Sequence, residues 1–333
     1  MSLFSPPKLL IANEYARDLV KAIQAAKIDI AITSTTFRAD DPLSTAIVDA
    51  LCDAGDRGVA VSLCIDTFTY LEPKEFLLRA PKRHPARAVR AIQLQHKLKS
   101  HGVMFHWLGR KASSIIYGRT HSKWAIIDDT VYSFGGVNMD GESFTHTDLV
   151  LKFKDAKLAA IMVAEHVRIR RADRGGGAIR SHKFALNDHS TIYFDGGLVG
   201  DSIIYRRACQ LAREAESILL VSQYSPTGKL ARILKHKDSQ LYFNHWRNAS
   251  WVNRVLIRVG TFTARHDTLY KRSTYLHAKF IIFTMPGGDQ IALSGSHNFM
   301  FGSGLVGTRE IAIETTDKHI IKQLYSFFQQ NIA

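Results

Sequence analysis

Two stretches of the chain carry the same reactive residue types in the same order. Residues 120–138 read THSKWAIIDDTVYSFGGVN, and residues 276–298 read LHAKFIIFTMPGGDQIALSGSHN. Each holds H-x-K, an apolar run, a turn, a second apolar run and then G-[GS]-x-N. Residues i and i+2 of a strand share a face, so His121 pairs with Lys123 and His277 with Lys279. The returning strand of each hairpin brings Asn138 and Asn298 back toward the same end. An imidazole, whose ordinary pKa is about 6.5, is a usable nucleophile at pH 7. A second one, held protonated, can donate a proton to a leaving alkoxide. Two lysines, two asparagines and Ser296 or a backbone amide supply donors for charge building on non-bridging oxygens. This is chemistry for a phosphodiester. It needs no metal or other cofactor, and no carboxylate or histidine cluster of ligand spacing is present.

Chance matters here. With 15 histidines in 333 residues, roughly one H-x-K is expected at random, so a lone copy is uninformative. Two copies, each followed by G-x-x-N, are not explained that way. Two carboxylates complete the set. Asp148 lies in HTDLVLKF and Glu310 in GTREIAIET, each at the start of an alternating apolar strand. An acid is an odd choice on a half-buried sheet unless it has a partner; the plainer reading is surface exposure.

These residues resemble the duplicated HKD motif, H-x-K-x4-D-x6-G-[GS]-x-N, of the phospholipase D superfamily. His121, Lys123, Asp128, Gly135, Gly136 and Asn138 match it throughout. The second copy keeps His277, Lys279, Gly295, Ser296 and Asn298 but has Thr284 where the aspartate belongs. The resemblance implies an α/β fold of two similar mixed-sheet lobes, a pseudo-dimer with the active site at their interface. It implies a phosphohistidine intermediate, with His121 as nucleophile and His277 as general acid. Asp148 and Glu310 then bond the far nitrogens of the histidines, which acid to which being open. Asp128, Gly135, Gly136 and Gly295 take supporting roles, and Thr284 puts the rigidity of the second loop in question.

For substrate, GGVNMDGESF and TDLVLKF resemble segments of bacterial cardiolipin synthases and related phosphatidyltransferases. An anionic phospholipid is therefore expected, with water or an alcohol as acceptor. The alternative is a nuclease or nucleic-acid phosphodiesterase, for which Tyr242, Phe243, Trp246 and Trp251 lie among basic residues as candidate base-stacking groups. A non-catalytic polyanion-binding module is a third reading, disfavoured because both copies keep the reactive residues.

The elements that must position these groups follow from periodicity. Residues 14–26 place Leu19, Val20 and Ile23 on one helical face, with Asn13 ahead of them as a candidate N-cap. Ile28, Ile30 and Ile32 alternate as a strand. Pro42 opens a second helix that stops near Gly55, and Val59, Val61, Leu63 and Ile65 alternate again. Such a βαβ unit is right-handed if its strands are parallel. In the second half, a helix is expected at 202–215 and strands at Ile218–Ser222 and Val255–Gly260. The lobes are expected at 1–170 and 185–333, joined by a Gly-rich linker over 171–184.

Charge sharpens the picture. Lys and Arg total 44 against 30 Asp and Glu, a net +14, which favours polyanionic partners. Between Phe76 and Ile127 there are eleven basic residues and no acid, and from Lys229 to Lys279 eleven more against Asp238 and Asp267. Both runs lead up to a motif hairpin. Residues 67–100 have no counterpart before the second motif and read as a basic lid or membrane-docking segment. No stretch of apolar residues is long enough to span a bilayer, and MSLFSPPKLL lacks the pattern of a secretory leader. Cys52, Cys64 and Cys209 are odd in number and lack C-x-x-C spacing, which argues for buried thiols in a reduced compartment. The expected location is cytoplasmic, peripheral on the inner face of a membrane, with no obligate protein partner.

Overall fold

Alternating apolar residues at 29–34 and 60–66 form strands β2 (Asp29–Ser34) and β3 (Ala60–Asp66), paired in parallel and joined by helix α2 (Pro42–Asp56). Pro42 stands at the first helical position, and Asp41 with Ser44 forms a capping box that holds the first turn. Helix α1 (Ala12–Ala25) buries Tyr15, Ala16, Leu19 and Ile23 along one stripe. It begins one residue before Asn13, so Asn13 is not its cap. The helix leaves strand β1 (Lys8–Ile11) directly, and the Ala12 N–H bonds the Asp148 carbonyl across the sheet. A neighbouring strand does the work expected of a side chain.

The structure is a computed structural model that describes residues 6–70, 86–109, 118–175, 177–248, 254, 257, 258, 261, 267–302 and 307–333. The first sheet adds β4 (Met104–Leu108), β6 (Trp124–Ile127), β7 (Thr130–Ser133) and β8 (Leu149–Lys154), in the order β1-β8-β7-β6-β2-β3-β4. The second is built from β9 (His182–Asn187), β10 (Ser190–Gly196), β11 (Ser217–Val221), β12 (Asp238–Tyr242), β13 (Phe280–Thr284), β14 (Gln290–Gly295) and β15 (Thr308–Thr315). Its order is β12-β11-β13-β14-β15-β10-β9. Aligned on the motif hairpins β6–β7 and β13–β14, the sheets share six strands in one order and differ by one edge strand each, β4 or β9. The duplication seen in the motifs is therefore a duplication of topology.

Two expectations are corrected. The connector is shorter than 171–184: helix α5 (Ala156–Gly175) runs through most of the basic stretch, and β9 starts at His182. The strand parallel to β11 is β12, not 255–260. Of those six residues only Ile257 and Arg258 are described, and both are helical.

Outer helices α1 and α2, with the short α4 (Gly141–Thr145) against them, cover the first sheet, while α6 (Ile203–Glu214) and α7 (Gly228–Leu234) cover the second. Between the sheets lies one continuous apolar core. It combines Trp124, Val131 and Leu151 with Phe280, Ile282 and Ile311, and takes in α5 and the last helix, α8 (Lys318–Asn331). Each large apolar side chain buried there contributes about 1.5–3 kcal/mol, so the lobes are held together by the same force that folds each one. Strand β5 (Arg119–Thr120), from the first half of the chain, pairs in parallel with β15 of the second sheet. Cys52, Cys64 and Cys209 are buried free thiols.

Candidate active site

Each motif histidine stands just ahead of the first strand of its hairpin, and the other lobe holds its backbone. The N–H groups of His121 and Ser122 both bond the Arg309 carbonyl, at 2.9 and 3.0 Å. The N–H groups of His277 and Ala278 both bond the Thr147 carbonyl, at 2.9 and 3.0 Å. Arg309 and Thr147 directly precede Glu310 and Asp148. The sheet register therefore delivers each acid to the histidine of the opposite lobe. His121 Nδ1 lies 3.2 Å from Glu310 Oε1, and His277 Nδ1 lies 2.6 Å from Asp148 Oδ2. The pairing left open by the sequence is crosswise. With Nδ1 engaged, Nε2 is the nitrogen that can attack or carry a proton.

Buried donors fix both carboxylates. Asp148 accepts from the N–H groups of Gly136 and Leu149 at 3.2 and 2.8 Å. Glu310 accepts from the Ser296 hydroxyl at 2.5 Å and from Thr308 at 3.2 Å. Against the upward push of burial, the facing histidine holds each acid low: Asp148 below the usual carboxylate range and Glu310 down at about 2. Ser296 was expected to reach substrate. Its hydroxyl instead orients Glu310 and accepts the Ile311 N–H, so it is a positioning residue.

Lys123 and Lys279 are both buried, and each ammonium bonds the carbonyl of its own motif histidine, at 2.8 and 2.5 Å. Burial pushes Lys279 down to about 7, opposed by Asp148 and reinforced by Lys123. Burial, then Lys279, pushes His277 down to about 3 against the pull of Asp148. His121 is more open, its side chain 30 % exposed against 12 % for His277. Among the described residues the Asn138 and Asn298 carboxamide oxygens are buried without a hydrogen-bond partner. Gly136 is required where it stands, because a Cβ there would meet Asp148 Oδ2 at 2.6 Å and Lys279 Nζ at 2.7 Å. Gly135 and Gly295 face adjacent strand backbone at Leu149 and Ile311, too close for any side chain.

Asp128 lies away from this cluster. At the β6–β7 turn its carboxylate accepts the N–H groups of Lys27, Ile28 and Asp29 at 2.9–3.1 Å, fastening the hairpin to the start of β2. In the second lobe Thr284 ends β13, and its carbonyl accepts the Glu216 N–H at 2.8 Å. A backbone bond at the start of β11 thus does there what Asp128 does in the first lobe.

Several neighbours escaped sequence reasoning. Arg119 pairs with buried Asp66 at 3.0 Å and lies 4.2 Å over the Phe68 ring, whose centroid is 5.8 Å from that of His121. His146 packs 5.7 Å from His277 and 4.9 Å from Tyr275. Among the described residues of the aromatic run near 242–251 no stacking platform is formed. Phe243 is buried, Tyr242 packs edge-on to Phe328, Trp246 is covered by Arg258 at 4.0 Å, and Trp251 lies outside the described residues. Among the described residues no group of three or more His, Cys, Asp or Glu side chains is placed to hold a metal ion. No described helix is long and apolar enough to cross a membrane.

Residues 19–169 match a family model described as cardiolipin synthase, PLD-like domain. The crystal structure of phosphatidylserine synthase from Haemophilus influenzae Rd KW20 superposes with a TM-score of 0.71 at 14% identity, covering 98% of this chain and 86% of that one. Polyphosphate kinase from Porphyromonas gingivalis superposes with a TM-score of 0.61 at 13% identity, covering 96% of this chain and 46% of that one. No curated protein sequence matches the chain. At these identities the structural likeness is one of fold: two mixed-sheet α/β lobes over nearly the whole chain.

Proposed function

We propose that the chain is a member of the phospholipase D superfamily, a reading supported by its two motifs and by the family model matched over residues 19–169, and that it is a metal-independent phosphodiesterase or phosphatidyltransferase acting on anionic phospholipid. The observation that carries this reading is the pair of crosswise carboxylate–histidine contacts, which orient two imidazoles beside two buried lysines. In the proposed cycle His121 Nε2 attacks phosphorus. An N–P bond forms as the P–O bond to the leaving alcohol breaks, and His277 gives that oxygen a proton. His277 then takes a proton from water or an acceptor alcohol. The incoming oxygen attacks the phosphohistidine and His121 leaves. Lys123 and Lys279 offset the charge on the non-bridging oxygens in both halves, and the Asn138 and Asn298 amide N–H groups donate hydrogen bonds to them.

Burial and Lys279 hold His277 neutral near pH 7, so its protonation has to accompany the arrival of an anionic substrate, whose charge offsets the lysine. The same neutrality favours the reverse order, with His277 attacking. Labelled phosphate trapped on His277→Ala, with none on His121→Ala, is expected; the opposite labelling overturns the assignment.

The phospholipid choice is supported by the description of the matched family and by the fold shared with a phosphatidylserine synthase. We place the protein peripherally, on an anionic membrane surface. Helix α3 (Ala86–Ser100) supports this: it exposes Val89 and Ile92 and carries Arg87, Arg90, Lys97 and Lys99 with no acid. The rest of the basic segment, 71–85, lies outside the described residues. Purified protein offered phosphatidylglycerol vesicles, and separately single-stranded DNA without magnesium, is expected to turn over lipid alone. Cleavage of DNA with intact lipid would replace this reading by the nuclease one.

A further inference from the structure

The two half-sites are related by the duplication, yet they differ behind the acids. In the first lobe, the residue across the sheet from Asp148 is Ala12, whose N–H bonds the Asp148 carbonyl. In the second, the residue directly opposite Glu310 is Asp195. Opposed residues of an antiparallel pair share a face, with Cβ atoms about 4.5–5.5 Å apart. The variable position of G-[GS]-x-N differs as well: Val137 in the first copy, His297 in the second.

Asp195 and His297 are both buried, and Ser202 links them. The Ser202 hydroxyl donates to Asp195 Oδ2 at 2.5 Å, while Asp195 Oδ1 accepts the N–H groups of Ile203 and Ile204 at 2.8 and 3.3 Å. His297 Nδ1 accepts the Phe299 N–H at 2.8 Å, which leaves the proton on Nε2, 3.5 Å from Ser202 Oγ. A buried polar chain therefore runs from His297 to a second carboxylate beside Glu310, where the first lobe has Val137 and Ala12 at the matching positions.

We propose that Asp195, held by Ser202 and His297, is a positioning residue that strengthens the grip of the Glu310–His121 pair on its proton, so that the two catalytic histidines of a duplicated site are made unequal. Two buried carboxylates on one face compete for positive charge, and His121 is the partner within reach of Glu310. Burial, and secondarily Glu310, pushes Asp195 up to about 7, so its charge changes in the neutral range. Glu310 itself faces His121, His297 and Lys123, and His121 also feels Asp66.

The proposal rests on the phosphodiester reading for its consequence in turnover, but its test needs no substrate. The full chain, carrying isotope-labelled histidine, is titrated by NMR, with the His121 signal assigned by its loss in His121→Asn. Asp195→Asn removes the charge and keeps the shape. The midpoint followed at the His121 ring is expected to fall by roughly half a unit or more, the size of one lost charge at this range. The His277 signal is expected to stay within a tenth or two of a unit, roughly the scatter of such titrations. Should Asp195→Asn fail to fold, Asp195→Ala, which copies Ala12, carries the same test. An unmoved His121 midpoint in a folded variant, or an equal shift at His277, overturns the proposal. Absence of lipid turnover with the shift intact would instead count against the phosphodiester reading alone.

Discussion

At the scale of single residues, the proposed cycle separates the histidine that forms a bond to phosphorus from the one that handles the leaving group, and each faces an acid from the other lobe. Glu310→Gln leaves the His121 imidazole without a charge to stabilise it as it becomes a phosphoimidazolium, and Asp148→Asn does the same to His277 as a proton carrier. Both changes are expected to lower kcat/KM on a phospholipid by about 10³-fold. A p-nitrophenyl phosphodiester, whose leaving group needs no proton, distinguishes them. Asp148→Asn is expected to recover most of its activity on it and Glu310→Gln is not; equal recovery would show that the roles are not divided this way. These acids also mark where sequence reasoning ran short. Their chemistry was legible from an acid at the head of an apolar strand. Their partners were not, because the contacts join residues far apart in the chain through sheet register and not through spacing. Ser296 was misread for a related reason: the motif gives its position but not the direction of its hydroxyl.

Elements explain the rest of what could and could not be read. Strands β2 and β3 and helix α2 follow from period and capping alone, because their own residues decide them. The start of α1 depends on a neighbour, an adjacent strand that caps it, and the strand paired parallel to β11 is β12 at Asp238–Tyr242. Helix α5 makes its own demand on its surroundings. Its His166 is buried against the first sheet, with Nδ1 3.0 Å from Thr33 Oγ1 and Nε2 2.9 Å from Ser62 Oγ. Burial, with Arg170 and His106 adding repulsion, pushes it down to about 4. The unfolded chain therefore binds a proton below pH about 6.5 that the folded chain refuses until about 4. The stabilisation is present above that window and is lost as pH falls through it, up to about 3 kcal/mol at the acid end. His166→Gln is expected to flatten the dependence of Tm on pH between 6.5 and 4. A slope equal to that of the parent chain would show that His166 is not the group responsible.

For the whole molecule, the relevant quantity is where the positive charge sits. The acid-free run beginning after Phe76 includes α3 and ends at the His121 hairpin, so a surface drawn to α3 is drawn to the same lobe as the first motif. Attraction of exposed basic residues to anionic lipid is worth about 1 kcal/mol each and fades within a Debye length. Arg90→Glu with Lys99→Glu is expected to weaken sedimentation with phosphatidylglycerol vesicles by at least about tenfold at low salt. It should leave hydrolysis of a soluble phosphodiester unchanged. Loss of both activities together would show that α3 supports the fold and not the encounter with a membrane.

The placement of β15 has a consequence for how the protein comes into being. As the chain leaves the ribosome, the strands of the first sheet are complete once Lys154 has emerged, and lobes made early tend to fold early. Yet His121 has no acid until Glu310 is made, and β1 has no cover until the helix carrying Gln323 arrives to bond the Leu9 N–H at 2.7 Å. A chain ended before Glu310 therefore carries His121 without the carboxylate that faces it. Under the proposed cycle, cutting has to wait until both halves of the site have been made, and synthesis itself acts as the safety catch.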